Sequence, residues 1–245
     1  METRRITTFS ELQALAEEFY TMRWRFRGEL RDDNKLLPKI GRASTRRSGS
    51  YNKRNEFWMM REFEKRVRSK LTSRTLPQSP WEWLAVAQHH GLPTRLLDWT
   101  TNPYVAAYFA VEKDVDVNAA IYVFQSEREV NVDELPNPFD LSGDPIEYNP
   151  SHVTERITAQ QGTFTIHPRP TIEFEPPTLQ KWIIENASRE EVKRKLVTTG
   201  VTRAQLFPDA DGVAETLSYE YSIIEDIPDP GATVSAGLFW PTKTT

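Results

Sequence analysis

The chain has 245 residues, 38% hydrophobic and 11% aromatic with seven Trp, which is enough apolar mass for a folded core and excludes the composition of a disordered chain. It has no cysteine, which excludes disulfides, thiol nucleophiles and cysteine-zinc sites together and points to a reducing compartment. The net charge of −4 is uneven: Thr21 to Arg74 holds 17 Lys/Arg against 6 Asp/Glu and the remainder 14 against 29, so one region either meets a polyanion or presents a solvated charged helix.

The opening METRRITTFS has no apolar run after its basic residues, and the longest apolar stretch, Tyr104 to Val111, falls short of the roughly 20 residues of a membrane span. We therefore expect a cytoplasmic chain with no membrane partner, folded as a single domain over 1–225 with a loose Pro/Gly-rich tail over 226–245. In chain order, Ser10 with Gln13 forms a capping-box pattern ahead of a short helix. Met22-Arg23-Trp24-Arg25-Phe26-Arg27 alternates with a period of two, which predicts a strand with three arginines on a solvent face and Gly28 at its end. Tyr51 to Leu71 reads as an amphipathic helix with Phe57, Met60, Phe63, Val67 and Leu71 as its apolar stripe. Arg54, Arg61, Lys65 and Arg68 share another face of this helix and are the candidate contacts for nucleic acid.

Ser79, Pro80 and Glu82 start a helix that Gly91 ends. Thr94 to Trp99 reads as a strand, Asn102-Pro103 opens an apolar helix through Val111, and Ala119 to Gln125 is a further strand. Glu127 to Pro150, rich in proline, reads as a long irregular excursion. Arg156 to Ile166 and Thr171 to Glu175 are expected to be extended around a Gln160-Gln161-Gly162 turn, and Lys181 to Glu185 to be a strand. Ser188 with Glu191 opens a helix closed by Gly200, and Asp209 caps a last one or contributes a site carboxylate.

Neither G-x-x-x-x-G-K-[ST] nor G-x-G-x-x-G occurs, and His89, His90, His152 and His167 lack metal-site spacing, so no P-loop, Rossmann or metal chemistry is expected. No G-x-S-x-G occurs either. The densest polar stretch is Gln88 to Pro103, where phosphate near the helix start at Asn102 is one reading and a buried Arg95–Asp98 pair is the other.

Phe26-Arg27-Gly28, Gln88-His89-His90-Gly91-Leu92-Pro93-Thr94-Arg95-Leu96-Leu97-Asp98-Trp99-Thr100 with Asn102-Pro103, Ala107-Tyr108-Phe109-Ala110, Arg156-Ile157 with Gln160, Gly162 and Phe164, and Phe207-Pro208-Asp209 resemble the successive motifs of the FRG domain family over about residues 20–217. Their order also resembles the ADP-ribosyltransferase plan. That resemblance implies an α+β fold with a mixed or antiparallel split sheet and peripheral helices, and NAD as a substrate with no metal. It implies Arg27, Gln160 and Gln161 as catalytic residues, with Arg27, His90, Arg95, Asp98, Thr100, Thr101 and Asn102 holding NAD. No Glu stands at the third motif, which leaves Glu155, Glu173 or Glu175 to supply a carboxylate. The activity implied is NAD-dependent ADP-ribosyl transfer to an RNA or DNA acceptor by a toxin or antiviral-defence effector, with a neutralising antitoxin as partner. A non-catalytic nucleotide-binding or nucleic-acid-binding module, and a metal-independent nuclease using His90, are the other readings.

Overall fold

The most apolar strand sets the architecture. Ala119–Gln125 reads AAIYVFQ with its first six residues buried, a run that a strand covered on both faces accommodates. The computed structural model describes residues 1–21, 23–45, 50–72, 76–150 and 155–223. In it this segment is β4 of a seven-stranded sheet made with β1 (Glu2–Ile6), β2 (Trp24–Glu29), β3 (Leu96–Thr100), β5 (Ile146–Tyr148), β6 (Gly162–Ile166) and β7 (Gln180–Ile184). The order across the sheet is β1-β7-β4-β2-β3-β6-β5. β1 runs parallel to β7 and the other neighbours are antiparallel, so the fold is α+β on a mixed sheet.

The helices are α1 (Phe9–Glu18), α2 (Lys53–Val67), α3 (Pro80–His89), α4 (Pro103–Val111), α5 (Glu155–Ala159), α6 (Arg189–Thr198), α7 (Arg203–Leu206) and α8 (Ala210–Ile223). Phe26, Ile121, Val123, Trp182 and Ile184 form one core with α1, α4 and α6. Leu96, Phe164 and Ile166 meet Trp81 and Leu84 of α3, while Leu97, Trp99, Tyr122, Phe124 and Phe174 make a third cluster. Leu96 and Leu97 enter different clusters because neighbouring strand residues point to opposite faces. α4 is apolar nearly all round and is buried accordingly. It lies so close to β2 that a Cβ on Gly28 would stand 1.9 Å from the Ala106 carbonyl oxygen. Gly28 thus sits inside the strand and lets a helix approach its backbone, where the sequence suggested a strand end.

Other local expectations also change. The α1 capping box is Thr8 with Glu11, not Ser10 with Gln13, because Phe9 is already helical. β1 went unread, being short and mostly polar. Glu155–Ala159 is helical rather than extended, Thr171 to Glu175 forms no strand, and the long excursion contains the short β5. On α2, Glu56 and Met60 are buried whereas Phe57 is 45% exposed, since the inner face is rotated to bring Glu56 to Arg95. Asp209 caps α8 through a bond from the Gly212 amide at 2.8 Å. Met22, His152 and the tail over 226–245 lie outside the described residues.

Candidate functional site

β2 and β3 pair only at Phe26 and Thr100, whereas β3 and β6 pair along their whole length. Past Phe26 the neighbouring strand is reached by a side chain: Arg27 donates from Nη1 to the Asp98 carbonyl oxygen at 2.8 Å. Arg27 also donates from Nε to Glu29 at 2.7 Å, and its side chain is only 15% exposed. The expected solvent face therefore holds for Arg23, which is exposed, but not for Arg27. Arg25 is likewise buried, paired with Glu147 at 2.5 Å, because loops and β5 cover this part of the sheet. Glu29 is held in turn by Asn34 at 3.0 Å, with Arg42 at 3.9 Å. Burial opposes charge on Arg27, but Glu29 and Asp98 outweigh it and hold the guanidinium above its usual range. Its Nη2 has no protein partner among the described residues.

A cavity of about 620 Å3 opens where the two strands part. Its walls come from β2 through Arg27, β3 through Asp98 and Thr100, the end of α3 through Gln88, His89 and His90, α4 through Phe109 and Glu112, and α5 through Arg156 and Gln160. Lys39 enters from the loop after β2 and donates to the Gly91 carbonyl oxygen at 2.7 Å. Gly91 adopts φ 81°, the left-handed conformation that ends α3 and that glycine reaches without strain.

The charges in the cavity are unevenly matched. Asp98 is half exposed, accepts from the Gln88 amide at 2.8 Å and lies 3.6 Å from Arg27. Glu112 pairs with Arg203 at 3.0 Å, yet burial raises its carboxyl above the ordinary range. Arg156 has no carboxylate partner among the described residues; it and Arg203 stack on Phe207, 3.9 and 3.6 Å from the ring centre. Burial, then Arg203, lowers the Arg156 pKa. His89, desolvated and close to His90 and Arg156, is pushed down to about 4 and is neutral at physiological pH.

The sequence-derived candidates divide on this geometry. Arg27, His90, Asp98, Thr100 and Gln160 line the one cavity. Arg95, Thr101, Asn102 and Gln161 do not. Arg95 is fully buried and pairs with Glu56 at 2.7 Å, not with Asp98, because it faces α2. Asn102 spends its side chain on the Tyr104 amide as N-cap of α4, and Thr101 bonds Gln161 at 3.4 Å. Thr100 donates to the Gln160 carbonyl at 2.8 Å, and Gln160 donates to the Leu206 carbonyl at 3.1 Å. Glu155, Glu173 and Glu175 are not on the cavity walls. On α2, Arg54, Arg61 and Lys65 are exposed; Arg68, just past its end and also exposed, pairs with Glu64 and stacks on Trp83.

Lys39 and Glu112 stand outside the motifs read from sequence, and Gln88 and Arg156 stand inside them without a role assigned. The period of two could have revealed Glu29 as the partner of Arg27; Lys39, in irregular chain, gave no signal. Among the described residues no helix is long and apolar enough to cross a membrane, and no group of three or more His, Cys, Asp or Glu is placed to hold a metal ion.

The fold and the cavity define an α+β domain with a charged site at a parting of its sheet, where Arg27, Lys39 and Arg156 stand against Glu29, Asp98 and Glu112. Residues 22–119, from just before β2 to the start of β4, match the model of the FRG domain. That segment supplies Phe26 to the core, Arg27 to the cavity and Gly28 to the contact with α4. No curated protein and no solved structure gives a significant match.

Proposed function

We propose that the cavity takes the pyrophosphate of NAD and that the chain is an NAD-dependent ADP-ribosyltransferase. The observation that carries this reading is Arg156, a half-buried guanidinium with no carboxylate partner among the described residues, in one cavity with Lys39 and the partly free fork of Arg27. A guanidinium left without an ion pair in a partly dry cavity favours a bound anion, and guanidinium forks suit phosphate oxygens. The volume, about 620 Å3, lies within the range of small-molecule sites, and Phe26, Phe109 and Trp99 supply apolar wall.

In the proposed reaction the bond between the ribose carbon and nicotinamide breaks, and nicotinamide leaves with the electron pair. An acceptor nucleophile then bonds to that carbon and gives up its proton to water. Asp98, on the wall beside Arg27, is the carboxylate that supports the positive ribosyl group. Gln160 and Gln161 at the third motif cannot act as bases. Because their side chains already bond within the protein, a non-catalytic nucleotide-binding module is the second reading.

Calorimetric titration with NAD, together with measurement of nicotinamide release in the presence of RNA, DNA and protein acceptors, tests both. Arg156→Gln breaks no ion pair and loses only the stacking on Phe207, so the variant should stay folded while NAD affinity falls roughly 10-fold or more, the loss of a charge-assisted bond. Absence of NAD binding, or an unchanged affinity in Arg156→Gln, overturns the site. Binding without nicotinamide release selects the module.

A further inference from the structure

A second groove, of about 850 Å3, runs along the start of α2 and shares no lining residue with the NAD cavity. On one side stand Phe57 and Trp58, which are 45% and 62% exposed although both are large and apolar. Across from them is Phe139, in edge contact with Phe57 at 5.4 Å. The Phe139 ring is fixed from the protein side by the Arg95 guanidinium, 4.5 Å from the ring centre, and Arg95 is itself locked to Glu56. The buried pair thus serves as a rigid backing for an aromatic floor.

Lys53, Arg54 and Arg61 line the same groove, are exposed, and make no ion pair among the described residues. The one acid in the lining, Asp140, accepts from the Asn137 amide at 3.0 Å. Towards the other end of the helix Arg66, and Arg68 just past it, each pair with a glutamate four residues earlier, while Lys65 is exposed and makes no ion pair among the described residues. At the start of α2, therefore, cations without an ion pair share one groove with exposed aromatic faces.

We propose that this groove binds single-stranded nucleic acid, with Trp58 and Phe57 as stacking platforms for bases and Lys53, Arg54 and Arg61 as phosphate contacts. The charge complementarity selects a polyanion, and the aromatic faces select one whose bases are free to unstack. A duplex offers phosphates but hides its base faces, so it gains from only half of the groove. If the NAD reading holds as well, this strand is the candidate acceptor. The groove proposal rests on different residues and is tested without NAD.

Fluorescence anisotropy with a labelled 12-nucleotide single strand, as RNA and as DNA, and with the matching duplex provides the test. We expect tighter binding of the single strands. On them the logarithm of affinity should fall with the logarithm of salt by about 0.7 per phosphate contact, and Arg54→Ala and Arg61→Ala should each remove about that much slope. Trp58→Ala should weaken binding roughly 5- to 150-fold without changing the slope, and Trp58→Phe should restore most of it. These side chains are exposed, so folding is checked simply by circular dichroism. Equal binding of duplex, no measurable binding, or an unchanged affinity in Trp58→Ala each overturns the proposal. A Trp58→Ala variant that alters only the oligomeric state would likewise overturn it and make the groove a contact between copies.

Discussion

Truncating Arg27 should cost far more than a surface substitution. In Arg27→Ala the Glu29 carboxylate, whose side chain is 8% exposed, loses its 2.7 Å donor, and the Asp98 carbonyl loses the donor that spans the gap between β2 and β3. Removing one partner of a buried ion pair costs about 3–5 kcal/mol. Glu29 retains Asn34 at 3.0 Å and has Arg42 at 3.9 Å, so the lower end, about 3 kcal/mol, is expected. Arg27→Lys keeps the charge but reaches only one of the two acceptors, and the loss of one charge-assisted bond predicts about 2 kcal/mol. Urea denaturation of both variants at constant m gives these values directly. A double-mutant cycle with Glu29→Leu should show strong coupling between the two positions. If Arg27→Ala stays within about 0.5 kcal/mol of the parent, as an exposed arginine would, the pair does not hold the strands and the reasoning fails. Because Arg27 supports both the sheet and the cavity, loss of NAD binding on its removal is not diagnostic by itself. Arg156→Gln provides the cleaner separation.

Gly28→Ala would place a methyl group 1.9 Å from the Ala106 carbonyl oxygen, so β2 and α4 must move apart. We expect about 3 kcal/mol of destabilisation and a fall in Tm of roughly 6–12 °C by calorimetry, and an unchanged Tm would show that the helix yields freely. Acid should also weaken the fold before most carboxylates titrate. His167 is pushed down to about 3, by burial and then by Arg27, and His89 to about 4, while both bind a proton near pH 6.5 once unfolded. The unfolded chain therefore holds more protons below pH 6.5, and their stabilising contribution, complete above that pH, is lost as pH falls towards the folded values. Each histidine adds a slope of up to about 1.4 kcal/mol per pH unit, while the raised Glu112 acts in the opposite direction. Urea midpoints between pH 6.5 and 4.5 should show the decline, and His167→Gln should remove about one histidine's share of the slope; a flat profile in the parent chain would contradict it.

The sequence by itself determined what depends on near neighbours in the chain. Ser79 and Pro80 start α3, Gly91 ends it, and the unbroken apolar run of β4 marks a strand covered on both faces, because caps and short periodicities act within a turn or two. It also brought Arg27, His90, Arg95, Asp98, Thr100, Thr101, Asn102, Gln160 and Gln161 forward as one group, of which Arg27, His90, Asp98, Thr100 and Gln160 line one cavity and the others do not. The tertiary structure decided which polar side chains are free. Arg95 and Asp98 stand three residues apart in the same motif, yet Arg95 is buried against Glu56 of α2 while Asp98 opens to the cavity. Alternation along a strand fixes which residues share a face but not what covers that face. The partners Glu56 and Arg203 come from elements whose meeting depends on the packing of the whole domain, and only that packing leaves Arg156 without an ion pair among the described residues.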